Sequence, residues 1–329
     1  MSVILSVKNL KKRFNLEAGF FAKQGQYVYA VNNLSFDLEK SASYGIVGES
    51  GCGKSTSARM IVKMYDADSG NIEFFSDKKI EVNKLKGKAL KEYRQKVKYV
   101  FQDPAKSLNP RMTVYEILIS GLKHSSKWPG KKAAYEMASK IIEEVGLTVQ
   151  DLDRRPADFS GGQRQRISIA RALLLEPEIL ICDEVVSALD VSIQGQILNL
   201  LHDIRSKHNL SMLFITHDLK VACYFCDRIG VMYRGELMEE ADAADLYKSA
   251  LHPYTKLLFQ SLPEKTKNKE VSAEEATGLT GEVKKLTDQT SACPFCDRCP
   301  ECTEKCLKEN PPLRLTDENN NHKVRCWNV

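Results

Sequence analysis

No stretch of this 329-residue chain approaches the ~20 consecutive apolar residues that a helix needs to cross a bilayer, so no spanning segment of that kind is expected. The opening residues, Met-Ser-Val-Ile-Leu-Ser-Val-Lys, lack a basic start followed by a long apolar run, and a secretory leader is not expected either. Charge of one sign is not in marked excess. Lys and Arg number 48 against 43 Asp and Glu, a net charge of +5, short of the basic bias or stripe of a nucleic-acid binder. Hydrophobic residues at 43% and charged residues at 28% are globular values, which exclude wholesale disorder and a fibrous architecture. Cysteine is scarce through most of the chain, with only Cys52, Cys182, Cys223 and Cys226 before residue 293. The other six of the ten lie between Cys293 and Cys326. Without an export signal a reducing compartment is expected, where such a cluster ligates metal rather than forming disulfides.

At about 100–200 residues per domain the length suggests two domains. Short apolar runs at 3–7, 31–38, 44–47, 97–101, 179–182 and 212–215 read as strands. Helical spacing begins at Lys54, covers 113–146 with a break at Trp128-Pro129-Gly130, and returns over 191–208. Strands alternating with helices predict an α/β layered domain on a parallel sheet. Residues 15–29 read as a loop, and the Lys-rich stretch 76–98 as a solvated surface excursion. Composition shifts after Leu262, which predicts a main domain over 1–262, a linker over 263–291 and a Cys-rich module over 292–329. So small a module rarely holds together by core burial alone, and a bound metal supplies what its core lacks. Cys223 and Cys226 form a C-x-x-C in a helix-like context, where i, i+3 packing explains them better than redox chemistry.

Gly48-Glu49-Ser50-Gly51-Cys52-Gly53-Lys54-Ser55-Thr56 places two glycines around four residues and then Lys and Ser, between an apolar strand and a helix start. The glycines let the backbone N–H groups face an anion, and the helix N-terminus adds a favourable dipole. Lys54 can then reach the β- and γ-phosphates of a nucleotide, and the Ser55 hydroxyl can ligate Mg²⁺. Cys52 sits at a variable position and reads as small filler. Ile179-Leu180-Ile181-Cys182-Asp183-Glu184 is a buried strand that delivers two carboxylates at its end. Asp183 would position Mg²⁺, and Glu184 would activate a water as general base. Binding a nucleotide's phosphates with Mg²⁺ and activating a water beside them is the chemistry these residues would allow.

Phe159-Ser160-Gly161-Gly162-Gln163-Arg164-Gln165-Arg166 resembles the signature motif of ABC ATPases, with Phe159 where that family usually has Leu. Its Ser-Gly-Gly start makes a helix N-terminus suited to a phosphate. The resemblance covers about residues 1–260 and implies a RecA-like P-loop NTPase core with a helical subdomain over about 103–165. It also implies roles. Gln102 resembles the Q-loop glutamine that senses Mg²⁺, Asp190 the D-loop aspartate and His217 the switch histidine. Phe14 matches the aromatic that stacks on adenine, with Tyr29 a rival. Ser160, Gly161, Gly162 and Gln163 would face the ATP held by a second subunit.

The motifs at 47–56, 102–104 with 107–112, 186–194 and 252–255 are similar to those of the oligopeptide/dipeptide importer ATPases, of the OppF/DppF type. Val185 departs from the Pro usual after the catalytic Glu. Membership of that group implies an ATPase subunit that powers peptide uptake. It would be peripheral on the cytoplasmic face of the cell membrane, paired with a paralogous OppD/DppD-like ATPase subunit and docked on two transmembrane permease subunits. An external peptide-binding protein would take part indirectly, and no nucleic acid. A related importer for nickel or another small solute is the alternative. A soluble ABC ATPase acting on nucleic acid or ribosomes is disfavoured by the single signature and the absence of a heptad run.

The tail leaves two ligand sets open. Cys296-x2-Cys299-x2-Cys302-x3-Cys306 has the spacing of a bacterial ferredoxin run, with Leu307 in place of the usual Pro. The importer family instead implies Cys293, Cys299, Cys306 and Cys326 as the ligands of a [4Fe–4S] cluster, and Phe295, Arg298 and Pro311-Pro312 resemble its pattern as well. Four cysteines also suit Zn²⁺.

Overall fold

The computed structural model describes residues 2–15, 27–125, 127–261, 291–316 and 319–329. The chain divides into two compact units, one made of residues 1–39, 43–84 and 215–329, the other of 40–42 and 85–214.

In the first unit, β1 (Val3–Asn15) and β2 (Tyr27–Glu39) form an antiparallel pair, extended by β4 (Ser69–Phe75) and β5 (Lys79–Glu81) in the order β2-β1-β4-β5. Leu5, Val7, Leu10, Val31, Leu34, Phe36 and Leu38 are buried and make one face of this sheet apolar. Both long strands run further than their alternation predicts. The charged residues after Leu10 continue β1 because Lys12 Nζ and the Arg13 N–H both donate to the Asp68 carboxylate, at 3.0 and 2.7 Å. Phe14 pairs with Val28, so the loop expected over 15–29 is shorter at both ends, and residues 16–26 lie outside the described ones.

A second set of strands in this unit begins with β3 (Ser43–Val47), buried at every residue and parallel to β9 (Arg228–Tyr233). β10 (Glu236–Asp242) is antiparallel to β9, β12 (Asn319–Val324) to β10, and β11 (Arg314–Thr316) to β12. The predicted all-parallel sheet is thus mixed. Helices α1 (Lys54–Ile61), α8 (Leu219–Phe225), α9 (Ala243–Lys248), α10 (Pro253–Gln260) and α11 (Glu304–Lys308) complete the unit. Cys223 lies on α8. Cys226 follows it and packs against Gly45, where a Cβ would stand 2.9 Å from its sulfur.

The cysteine-bearing tail is knit into the same unit. β12 sets Val324 opposite Glu239 and Lys323 opposite Glu240. His322 Nε2 lies 2.6 Å from Oε1 of the buried Glu239, which also accepts the N–H groups of Leu251 and His252 at 2.7 and 3.0 Å. Arg325 donates to the carbonyls of Leu237 and Pro311 at 2.8 and 2.9 Å. Sheet pairing and buried polar bonds therefore support a segment whose own core is small. The linker expected over 263–291 lies outside the described residues, apart from its last position.

In the second unit, β6 (Val97–Val100) runs parallel to β7 (Ile179–Asp183), with Val97 opposite Ile179 and Val100 opposite Cys182. β8 (Ser211–Thr216) begins in this unit, and the chain leaves the unit within the strand. The helices are α2 (Gly87–Lys96), α3 (Pro104–Ser107), α4 (Val114–Lys123), α5 (Lys131–Glu144), α6 (Gly161–Leu173) and α7 (Val191–His208). Thr113 and Glu116 cap α4 reciprocally, Thr113 Oγ1 accepting at 3.2 Å and Glu116 Oε2 at 2.9 Å. α4 and α5 are separated at the Trp128-Pro129-Gly130 break, and α7 has the bounds its periodicity predicts. The Lys-rich stretch 76–98 is more than a solvated excursion. It contains β5, a 3-10 turn and α2, and it buries Val82 and Tyr93.

Candidate nucleotide site

Strand β3 delivers the chain to Gly48, where backbones crowd. A Cβ at Gly48 would lie 2.1 Å from the Met232 carbonyl oxygen, and one at Gly53 would lie 2.1 Å from that of Ala30. Gly53 also has φ +110°, which L side chains rarely adopt. The loop is closed by the Cys52 N–H on the Glu49 carbonyl at 3.3 Å and anchored by the Gly235 N–H on the Cys52 carbonyl at 2.8 Å. Cys52 is buried filler, and burial pushes its thiol up. Ser50 and Gly51 are exposed, while Ser55 and Thr56 are half-buried in the first turn of α1. No side chain caps the N-terminus of α1, which leaves its first N–H groups to other acceptors. Lys54, 4% exposed, donates from Nζ to the carbonyls of Gly48 at 2.7 Å and Glu49 at 2.9 Å.

Three further predicted groups belong to the first unit. Phe14, on β1, is exposed and sets its ring 5.5 Å from that of Tyr65. Tyr29 lines a hollow of about 160 Å³ with Lys11, Lys12, Arg13, Asp68 and Ser69. His217 is exposed immediately after β8, ahead of Asp218, which caps α8 by accepting the N–H groups of Lys220 and Val221.

The second unit holds the carboxylates. β7 is buried throughout and ends on Asp183, whose Oδ2 accepts a hydrogen bond from the Tyr99 hydroxyl on β6. Glu184 follows with φ +49°, uncommon for a residue with a side chain. Its carbonyl accepts from the Ser187 N–H at 3.2 Å and the Ser187 hydroxyl at 2.9 Å, which holds this bent backbone. Val185, the departure noted in the sequence, is buried beside Val186 and secures the turn by packing. Gln102 donates from Nε2 to Glu184 Oε2 at 2.7 Å. The structure thus brings together two predicted residues 82 positions apart.

Ser160 caps α6. Its Oγ accepts the Gln163 N–H at 3.3 Å while Gln163 Oε1 accepts the Ser160 N–H at 3.0 Å. A Cβ on Gly162 would lie 2.6 Å from Ile193 Cγ2 of α7, so a larger residue there would have to displace that side chain, whereas Gly161 is exposed. Asp190 is exposed at the start of α7, its carbonyl accepting from the N–H groups of Ile193 and Gln194.

In the tail, Cys293, Cys306 and Cys326 are buried and Cys299 is half-buried, and the ten cysteines, all among the described residues, form no disulfide. Burial above all, with Cys306, Cys296 and Cys299 adding to it, pushes the Cys293 thiol up to about 12. Cys299 is pushed up to about 11 by burial, with Cys326 and Cys302 adding to it. Cys326 is raised by burial and then by Cys306. Among the described residues no three His, Cys, Asp or Glu side chains gather closely enough to hold a metal ion. The structure by itself therefore supports neither the zinc nor the [4Fe–4S] expectation.

Residues that sequence reasoning did not single out are Tyr99, Tyr233 and Tyr254. The Tyr254 hydroxyl accepts the Glu49 N–H at 3.1 Å, and Phe295 of the tail sits with its ring centroid 5.3 Å from those of both Tyr233 and Tyr254. Tyr254 stood inside a quoted motif, but nothing in the sequence tied it to the phosphate loop.

Such a loop before α1, the carboxylate pair ending β7 and the Ser160 cap define a P-loop ATPase of the ATP-binding cassette class. Comparison agrees, since the ABC transporter family matches residues 31–187 and the family described as oligopeptide/dipeptide transporter, C-terminal region, matches 238–306. Within the class, the chain belongs to the ATP-binding proteins of the oligopeptide/dipeptide transporter family. It is 46% identical over 260 residues to the oligopeptide transport ATP-binding protein OppF of Bacillus subtilis (strain 168), covering 79% of this chain and 82% of that one. It is 40% identical over 334 residues to the protein of the same description from Haemophilus influenzae, covering 99% of this chain and 97% of that one. Among solved structures, the ATP-binding cassette MJ0796, a dimer in a post-hydrolysis state bound to ADP and Pi, superposes with a TM-score of 0.63 at 28% identity. That match covers 73% of this chain and 99% of the cassette. No helix among the described residues is long and apolar enough to cross a membrane.

Proposed function

We propose that this chain hydrolyses ATP to power the uptake of oligopeptides through a membrane importer. It acts as one of two ATPase subunits at the cytoplasmic face, and its partners are a paralogous ATPase and two permease subunits. The observation that carries the hydrolytic part is Glu184, turned off the end of β7 with Gln102 donating to its carboxylate at 2.7 Å. The peptide assignment rests on the relatives described as oligopeptide transport ATP-binding proteins.

In this reading Lys54 binds the β- and γ-phosphates and the first turn of α1 receives the anion. The Ser55 hydroxyl and the Asp183 carboxylate are donors of the kind Mg²⁺ takes, and Tyr99 fixes the orientation of Asp183. Mg²⁺, when bound with ATP, neutralises charge that develops on the phosphate oxygens. Glu184 takes a proton from the attacking water, Gln102 orients that carboxylate, and His217 acts on the γ-phosphate side of the same ATP. Phe14 stacks on the adenine. Ser160, Gly161, Gly162 and Gln163 contact the ATP of the second subunit, with Asp190 beside them. ATP then favours the closed pair because only there does it touch both subunits, and the resulting population shift is what the permeases receive.

For the tail, Cys293, Cys299, Cys306 and Cys326 are proposed as ligands of a [4Fe–4S] cluster. Their thiolates would hold it, and the cluster would supply the tail with the cross-link that its small core lacks. What supports this reading is the donor set, four thiols in one short tail, three of them buried and one half-buried. The raised thiols mean that ligation releases protons and stabilises the folded tail. Full-length protein purified without oxygen is expected to carry about four iron and four acid-labile sulfide atoms per chain, and a colourless iron-free protein would remove the cluster.

The transport reading is tested by co-purifying the chain with its permease and ATPase partners and reconstituting them in vesicles. ATP-dependent accumulation of a labelled oligopeptide is expected, with ATP turnover rising when peptide-loaded binding protein is supplied. Turnover that never responds to peptide would overturn the assignment of cargo.

A further inference from the structure

The turn between Cys296 and Cys299 reaches the phosphate loop through one side chain. Arg298 donates from Nη1 to Glu49 Oε2 at 3.0 Å and to the Tyr233 hydroxyl at 3.3 Å. The two members of this ion pair are largely shielded, with side chains 20% and 17% exposed. Glu49 is a working part of the loop, because its carbonyl accepts from Lys54 Nζ and its N–H is held by Tyr254. Its second carboxylate oxygen, Oε1, is buried and has no hydrogen-bond partner among the described residues.

A carboxylate is an unfavourable neighbour for a triphosphate. Left bare, Glu49 would repel the anion that the loop exists to hold, and partial burial would strengthen that repulsion. Arg298 supplies the opposing charge, and the turn that carries it is fixed in place. Arg234 donates to the Pro294 carbonyl at 2.9 Å and pairs with Asp297 at 2.8 Å, while Phe295 is wholly buried against Tyr233 and Tyr254. Of these tyrosines, Tyr254 meets the loop at Glu49, and Tyr233 meets the turn at Arg298.

We infer that Arg298 is a positioning residue for ATP binding, neutralising Glu49 and holding its carboxylate away from the phosphates, so that the cysteine tail sets the affinity of the phosphate loop. The inference rests on the reading of this loop as an ATP site and deepens it. A guanidinium that merely docked the tail would matter regardless of the charge at residue 49. One that neutralises Glu49 matters only while that charge is present.

Titration of the full-length chain with a fluorescent ATP analogue separates the two. Arg298→Ala is expected to weaken binding about tenfold, the effect of a unit charge several ångström from a phosphate at intermediate dielectric. The loss should shrink as salt rises. Arg298→Lys should recover part of it, and the double variant Arg298→Ala/Glu49→Gln most of it. Glu49→Gln alone leaves Arg298 facing the nucleotide and should bind more tightly than the wild type, which tests the idea even if Arg298→Ala folds poorly. Unchanged affinity in Arg298→Ala, no recovery in the double variant, or weaker binding by Glu49→Gln would each overturn the assignment. A wild-type chain that bound no nucleotide would instead remove the ATP-site reading itself.

Discussion

Replacing Glu184 by Gln is expected to lower ATP turnover by about 10²–10⁴-fold, the range a positioned general base contributes. Nucleotide affinity should stay within a few-fold of the wild type. The substitution keeps the shape of the side chain and leaves an amide oxygen able to accept the Gln102 Nε2 hydrogen bond, now 2.7 Å long. The bent backbone should also persist, because it is held by the carbonyl bonds to Ser187 and the buried Val185 and Val186, none of which involve the carboxylate. What is lost is the capacity to take a proton. Single-turnover hydrolysis by the assembled complex, measured beside equilibrium binding of the same nucleotide, checks both halves of the expectation. Full turnover in the variant would remove Glu184 as the base, and loss of binding together with turnover would mean that the residue supports the loop rather than the reaction.

The parts of this molecule legible in its sequence are those whose chemistry is local. A backbone that wraps an anion must have glycine where chains crowd, and Gly48 and Gly53 occupy those places. A buried parallel strand must be apolar throughout, which marked β3 and β7 and hence the residues they deliver. The signature was also legible, and Gly162 within it lies close against Ile193 of α7, a contact that no spacing rule predicts. Less was legible where a tertiary partner overrides local character. The charged end of β1 is a strand because Asp68 and β2 hold it, and Tyr93 gives a Lys-rich helix a buried face.

The least legible feature is the tail. Asn319–Val324 carries three asparagines and no alternation, yet it forms β12 because β10 offers an open edge and Glu239 a buried partner for His322. Arg298 and Glu49 are 249 residues apart, and no spacing rule connects them. The cysteine pattern pointed to a small module whose core a bound metal would supplement. The structure ties the tail to β10 through β12 and to the phosphate loop through Arg298 and Glu49.

Lys54→Ala is expected to abolish nucleotide binding at concentrations that saturate the wild type, a loss of about 100-fold or more. The estimate follows from two charge-assisted hydrogen bonds to phosphate oxygens, each worth about 1.5–3 kcal/mol, removed from a nearly buried position where water cannot replace them well. Lys54 also bonds the carbonyls of Gly48 and Glu49, so the variant loses internal support for the loop as well as its charge. Lys54→Arg separates these contributions. It keeps the charge, but the planar guanidinium is larger than the ammonium and must fit where Lys54 is 4% exposed and Cys52 is buried beside it. Arginine is therefore expected to fail nearly as badly as alanine. Calorimetric titration of ATP with Mg²⁺, alongside a denaturation midpoint for each variant, checks the prediction. Affinity lost with the midpoint unchanged places the effect in the bound state. A midpoint that falls in step with affinity would make Lys54 a support of the loop first, and near-normal affinity in the alanine variant would show that the backbone N–H groups of the loop and α1 suffice to hold the triphosphate.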